Sequence, residues 1–341
     1  MSVGVLTAGG DCPGLNAAIR AVVTRLVVAG SDVVGVEKGW HGLMEGRFRP
    51  LHRDDVRGIV ARGGTILGTS RIDPYVHGDG YKSVAATIEA AGIETLIVLG
   101  GDGSLRTAAR LHEESGEVGV VGIPKTIDND IPGTDVSLGF HTAVQIVVDA
   151  IDRLTTTAES HDRIMVVEVM GRMAGWIATS SGIAGGAEAI IVPEVPTDYE
   201  VLANRLTHRH TEGPDYSLVV VAEGASAPSG DISTVGLDAF GFERLGGVGA
   251  QVARELESRT GFEARVTTLG YLQRGGVPTA YDRLLGTRFG VKAAELALDG
   301  VNGVMVGLHG DAIETVGLDE LSTGDRKVAP KLLEDAAWFF I

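Results

Sequence analysis

Short apolar runs alternate with longer amphipathic stretches along this chain, and that alternation narrows the available folds more than any other feature. The runs cover residues 3–6, 33–36, 95–99, 118–123, 164–169, 189–192, 218–222 and 264–269, with helix-like segments such as 15–28, 105–114, 142–155 and 248–259 between them. Strand and helix in strict alternation predict an α/β fold with parallel sheets covered by helices on both faces. Ligands in such folds sit beyond the C-terminal ends of the strands. The 49 glycines cluster at those ends, as expected where loops approach a ligand closely. The stretch 224–236, rich in Ser, Ala and Gly, reads as a surface loop rather than a domain boundary. The 341 residues suffice for one large or two ordinary domains.

Composition excludes several classes of function. The formal net charge of −16 argues against general nucleic-acid or anionic-membrane binding, although arginines gathered into one site can still hold phosphate. No apolar run approaches the ~18 residues of a membrane span. The N-terminus enters VGVLTAGG directly, without the charged and apolar regions of a signal peptide. Cys12 is the only cysteine, which excludes an internal disulfide framework and fits a reducing, cytoplasmic setting.

Three strand-end segments carry chemistry. In VGVLTAGGDCPGLNAAIR, residues 3–20, a strand ends at Gly9 and Gly10 and a helix begins near Leu15. Backbone N–H groups at such a start can hold an anion, and an ordinary tight turn is the alternative. In LIVLGGDGSLRTAARL, residues 96–111, Asp102 stands at the apex beside Gly101, Gly103 and Ser104. A carboxylate inside a phosphate turn is repulsive unless a divalent cation lies between the charges, so Mg²⁺ is the natural partner. The alternative makes Asp102 a helix N-cap. In VGIPKTIDNDIPGT, residues 121–134, a buried strand runs into Lys125, Thr126, Asp128, Asn129 and Asp130. Two carboxylates two positions apart repel, so a plain surface turn gains nothing from them. Asp128 is placed to act as a base near a donor phosphate. Thr126 and Lys125 can contact the phosphoryl group, and Asp130 can help position metal or base. A turn held by Asx hydrogen bonds is the bland alternative.

Taken together, LTAGGDCPGLN, ARGGTILGTSR, GGDGS, PKTIDNDI, VEVMGRMAGW, VVAEG and LGYLQRGGVPTAYDR resemble the ATP-type 6-phosphofructokinases, in the actinobacterial branch related to pyrophosphate-dependent enzymes. The resemblance spans nearly the whole chain. It implies two Rossmann-like domains with mainly parallel sheets and the active site in the cleft between them. Residues 1–139 with 274–322 would take the phosphate donor, and residues 140–273 with 323–341 the sugar phosphate. The implied reaction is Mg²⁺-dependent transfer of the ATP γ-phosphate to the 1-hydroxyl of fructose 6-phosphate, giving fructose 1,6-bisphosphate in glycolysis. Gly10, Arg71, Ile72, Gly101, Asp102, Gly103 and Ser104 resemble the donor site, with Asp102 as the magnesium ligand. Asp128 matches the general base, joined in catalysis by Thr126, Arg71 and Arg172. Thr126, Ile127, Asp128, Met170, Gly171, Arg172 and Glu223 resemble the contacts to the sugar and the transferring phosphate. Arg163, Arg265 and Arg274 match the grip on the 6-phosphate. In the family the counterparts of Arg163 and Arg265 come from a neighbouring subunit, so an obligatory homo-oligomer with shared active sites is implied, a homotetramer or at least a dimer.

The chain departs from the family pattern at several positions. Gly103 leaves room for the α-phosphate of ATP where pyrophosphate-dependent relatives usually carry Asp. Lys125 is the pyrophosphate-like residue where most ATP enzymes have Gly. Sterics and charge at Gly103 favour ATP. Tyr271 replaces a histidine that contacts the sugar phosphate, and Met173 replaces a polar residue. These two changes keep another ketose phosphate, such as sedoheptulose 7-phosphate, open beside fructose 6-phosphate. Of the arginines that bind effectors in regulated relatives, Arg20 and Arg53 remain, whereas Thr24 and Thr155 fill two other positions. Strong control by ADP or phosphoenolpyruvate is therefore not expected. Asp102, Asp128 and Arg172 speak against a non-catalytic sugar-phosphate sensor, and TIDND and QRGG against an NAD or lipid kinase.

Overall fold

The computed structural model describes residues 1–76, 78–116, 118–237 and 243–337. The strands are β1 (Ser2–Ala8), β2 (Asp32–Val36), β3 (Phe48–Pro50), β4 (Thr95–Gly100), β5 (Gly119–Pro124), β6 (Ile164–Val169), β7 (Ala189–Ile191), β8 (Ser217–Ala222), β9 (Thr234–Leu237), β10 (Glu243–Leu245), β11 (Ala264–Thr268), β12 (Val304–His309) and β13 (Ala312–Gly317). The helices are α1 (Leu15–Val28), α2 (Gly39–Met44), α3 (Gly80–Ala90), α4 (Asp102–Ser115), α5 (Phe140–Glu159), α6 (Trp176–Ala184), α7 (Tyr199–Glu212), α8 (Val248–Thr260), α9 (Ala280–Leu298) and α10 (Pro330–Ala337). The chain divides into two units, Met1–Thr142 with Arg274–Asp325 and Ala143–Gln273 with Arg326–Ile341.

Among the described residues, the first unit holds a seven-stranded sheet in the order β13-β12-β5-β4-β1-β2-β3. Only the outermost strands, β3 and β13, pair antiparallel. Strands β4 and β5 are buried along their whole length, which explains their unbroken apolar sequence: a strand covered on both faces has no polar side. Leu6, Val98 and Val120 of the sheet pack with Leu105 and Leu111 of α4, each side chain contributing about 1.5–3 kcal/mol by leaving water. The second unit holds a four-stranded sheet, β11-β6-β8-β7, parallel throughout. Its core gathers Ile164, Val166, Val219 and Val221 against Val248, Val252 and Leu256 of α8.

Several elements differ from the sequence reading. Helix α4 begins at Asp102 rather than 105, because Gly101 takes the extended N-cap conformation and the three polar residues after it are already helical. Helix α5 is longer at both ends than 142–155. Strands β12 and β13 lay outside the apolar runs; β13 is half-exposed and charged, as an edge strand can be. The stretch 224–236 lies within the second unit, yet it is not all surface loop: Ala225 and Ala227 are buried and β9 opens at Thr234. No helix among the described residues is long and apolar enough to cross a membrane.

Candidate active site

Three of the strand ends singled out in the sequence are neighbours in the first unit. Ala8 of β1 pairs with Gly100 of β4, and Gly100 with Pro124 of β5, so their loops leave the sheet side by side and level. Here the strand order reverses, with β1 leading to β2 and β3 on one side and β4 leading to β5 on the other; ligands of open parallel sheets bind at that point.

The first loop turns at Gly9, whose φ of 83° lies in the left-handed region. Gly9 N–H donates to the Ser70 carbonyl at 2.8 Å, and Thr69 Oγ1 donates to the Gly9 carbonyl at 2.7 Å. These bonds deliver the segment carrying Arg71 and Ile72 to the same sheet edge. In the second loop, Asp102 is the first residue of α4 and both its oxygens accept from Arg106 Nε, at 2.9 and 2.8 Å. The N-cap is therefore Gly101, not Asp102. A Cβ on Gly103 would meet no atom within 4 Å; the loop opens there onto free space.

The third loop is built from inside. Lys125 is 2% exposed, and its Nζ donates to the Gly10 carbonyl of the first loop at 2.5 Å. Arg274 reaches the same turn from the other unit-one segment: a Cβ on Gly10 would stand 2.5 Å from its Nη1, which donates to the Asp11 carbonyl at 3.4 Å. Neither cation forms an ion pair among the described residues. Two cations flanking one glycine turn give it a positive potential. Thr126 Oγ1 accepts from Asp128 N–H at 3.1 Å, and Asn129 Oδ1 accepts from Ser137 N–H at 2.8 Å. The turn is thus shaped through Thr126 and Asn129, with Ile127 and Asp128 buried between them. Asp282 of α9 ties down the end of this loop, accepting from Gly139 N–H at 2.9 Å and Thr142 N–H at 2.7 Å. Burial raises its carboxyl pKa and these bonds oppose the rise. The sequence reading passed over Asp282, though it stands in the quoted AYDR; nothing local marks an aspartate as the cap of a distant helix.

Burial pulls the Lys125 amine down to about 8. Because an unfolded lysine titrates near 10.5, the unfolded chain holds the extra proton between pH 8 and 10.5. The cost of burying this cation is therefore fully present below about pH 8, and stability from this group rises with pH across the window. Lys125→Met should raise unfolding free energy at pH 7 by about 2 kcal/mol, the relief of about 3 kcal/mol of charge burial less about 1 for the lost bond to the Gly10 carbonyl. The gain should shrink as pH climbs toward 10.5, while inorganic phosphate binds more weakly. Denaturant titrations at several pH values check the first part, and calorimetry the second.

In the second unit, the C-terminal ends of β6 and β8 lead into Met170, Gly171, Arg172 and Glu223. Glu223 N–H donates to the Val169 carbonyl at 2.8 Å, and Glu223 Oε1 accepts from Arg172 N–H at 3.1 Å. Arg172 has a φ of 49°, rare for a residue with a side chain. Its carbonyl lies 1.8 Å from where a Cβ on Gly224 would stand, so the close approach needs glycine. Met170 N–H donates to Gln273 Oε1 at 3.3 Å, a buried support that the sequence reading missed. Tyr271 is 65% exposed.

Arg163 and Arg265 are elsewhere. Both pair with Glu263, at the N-terminal ends of β6 and β11, with Arg163 Nε 2.7 Å from the carboxylate. Strand β6 separates Arg163 from Met170, and its length puts about 20 Å between them. These arginines cannot join the residues 170–172 of their own unit.

Among the described residues no three His, Cys, Asp or Glu side chains converge as a metal cage. The donor set fits Mg²⁺ of another kind, held by one carboxylate with phosphate oxygens and water. Asp102 offers that carboxylate at an open strand end, and its exposed pairing with Arg106 is worth about 0.3–0.5 kcal/mol, little to exchange.

A family profile described as Phosphofructokinase matches residues 2–297. A pyrophosphate–fructose 6-phosphate 1-phosphotransferase of Amycolatopsis methanolica is 50% identical over 343 residues, covering 100% of both chains. An ATP-dependent 6-phosphofructokinase of Mycobacterium bovis is also 50% identical, over 344 residues and 100% of both chains. Among solved structures, phosphofructokinase from Saccharomyces cerevisiae superposes with a TM-score of 0.83 at 32% identity, covering 94% of this chain and 44% of the yeast chain.

Proposed function

The chain belongs to the phosphofructokinase family, and from that premise we propose that it transfers the γ-phosphoryl group of ATP to the 1-hydroxyl of fructose 6-phosphate. The observation that carries this reading is the meeting of three strand-end loops around Lys125 and Gly10, with the buried Asp128 at the third. We assign the donor to the first unit and the sugar phosphate chiefly to residues 170–172 and Glu223 of the second. Asp128 accepts the proton of the 1-hydroxyl, whose oxygen attacks the γ-phosphorus as the bond to the β-phosphate oxygen breaks. Arg71 and Arg172 meet the charge on the transferring group, and Thr126 orients it. Lys125, Arg274 and the amides of residues 9–11 hold the donor phosphates. Mg²⁺, held by Asp102, would supply the charge neutralisation that phosphoryl transfer requires.

Relatives at equal identity bear both donor names. The space beside Gly103 supports ATP, because room for an α-phosphate is needed only by the nucleotide. The buried Lys125, the pyrophosphate-like residue of the family pattern, favours pyrophosphate as the second reading. Assays of ATP, GTP and pyrophosphate against fructose 6-phosphate and sedoheptulose 7-phosphate separate them; a higher kcat/KM with pyrophosphate overturns the ATP assignment. Tyr271 is exposed and can donate only a neutral hydrogen bond to a sugar phosphate, so the two acceptors need this direct comparison.

The place of Arg163 and Arg265 at the far end of β6 supports a homo-oligomer in which they serve a neighbour's site. Mixing Arg163→Ser with Asp128→Asn subunits should restore part of the activity that each variant lacks. Hetero-oligomers verified by mass spectrometry and still inactive would rule against shared sites.

A further inference from the structure

We infer that residues 326–328 form a strap that sets the conformation of the loop after β6, and through it the binding of the sugar phosphate; this rests on the acceptor role proposed above for Arg172. Trp176 Nε1 donates to the Arg326 carbonyl at 3.1 Å, and the Arg326 guanidinium lies 4.1 Å over the same indole ring. Lys327 Nζ donates to the Met173 carbonyl. Val328 N–H donates at 3.2 Å to Glu194 Oε1, which also accepts from Gly175 N–H at 2.9 Å. Met173, Gly175 and Trp176 are thereby tied to a segment some 150 positions away.

These ties begin one residue after Arg172, whose left-handed backbone persists only if its surroundings hold it. Glu223 and Gly224 hold it from the β8 side. The strap holds the following turn, so Arg172 is fixed at both ends. Lys327 grips the main chain of Met173 and not its side chain, which explains how the polar family position can be methionine without loosening the loop. The strap residues act through the main chain of 173 and 175 and the indole of Trp176, and are positioning residues. Their cations also lie where a loop that receives phosphate gains from positive potential.

The test uses the full-length protein carrying Trp176→Phe with Lys327→Met, which removes two donors and keeps ring and stem. Amide exchange across residues 171–176 should quicken about tenfold, and KM for fructose 6-phosphate should rise about tenfold, the effect of one lost charged hydrogen bond. KM for the donor should stay near wild type, any fall in kcat should follow the displacement of Arg172, and Lys327→Arg should retain tight acceptor binding. Lys327→Met alone serves if the double variant does not fold. Unchanged exchange overturns the strap. Faster exchange with unchanged acceptor KM, or a rise in both KM values together, overturns its link to the acceptor. Wild-type protein inert toward fructose 6-phosphate would instead sink the proposed reaction, with the exchange data still reporting on the strap.

Discussion

Asp128→Asn is expected to fold as the wild type does and to lose about 10²–10⁴-fold in kcat. The side chain is 3% exposed, so an isosteric amide preserves packing where alanine would open a cavity. The backbone at 128 is held by Thr126 Oγ1 and by buried Ile127, neither of which needs the charge. What the substitution removes is the oxygen able to take up a proton. KM for the donor should move little, because Lys125, Arg274 and the glycine turns stay in place. Steady-state kinetics beside thermal unfolding separates lost chemistry from lost fold, and near-wild-type turnover would remove Asp128 from the mechanism.

Gly103→Asp should abolish use of ATP while leaving the protein folded. A side chain at 103 enters open space, so no neighbour has to yield. The position is also in the first turn of α4, where the helix dipole favours a carboxylate by about 0.3–1 kcal/mol. Stability should therefore hold or rise slightly. The same carboxylate fills the room proposed for the α-phosphate and repels it. Like charges forced together cost several kcal/mol, so kcat/KM for ATP should fall by about 10²-fold or more. Pyrophosphate, which ends where the α-phosphate begins, should suffer much less. Equal losses with both donors would show that Gly103 does not discriminate between them.

The strand–helix alternation carried the fold class because both periodicities are local: a strand buried on two faces must be apolar, and a covering helix must be amphipathic. The same locality made the glycine loops and the polar TIDND turn legible as chemistry before any strand was paired with another. Helix α4 was read three residues short, since Asp102, Gly103 and Ser104 lack an apolar signal and gain helical structure only from the Gly101 cap. The edge strand β13 is half-exposed and so carries a weaker pattern.

Sheet order was beyond the reach of local pattern. The three phosphate-type loops are neighbours because β4 lies between β1 and β5, and the β1–β4 pairing joins residues some 90 positions apart, which periodicity does not encode. Only that pairing brings the Lys125 ammonium under the Gly10 carbonyl and strips it of water, turning an ordinary lysine into a buried cation with a depressed pKa. Close packing of α9 against α1, at Gly286 and Gly290, accompanies the placing of Arg274 on the first loop. Arg163 and Arg265 sit at the opposite end of β6 from Arg172 because a strand is a rigid spacer, about 3.3 Å per residue. Residue types and their spacing along the chain determined the chemistry available to this protein. Which groups share a site was decided by hydrogen bonds and packing between segments far apart in sequence, whose free energy exists only in the folded chain.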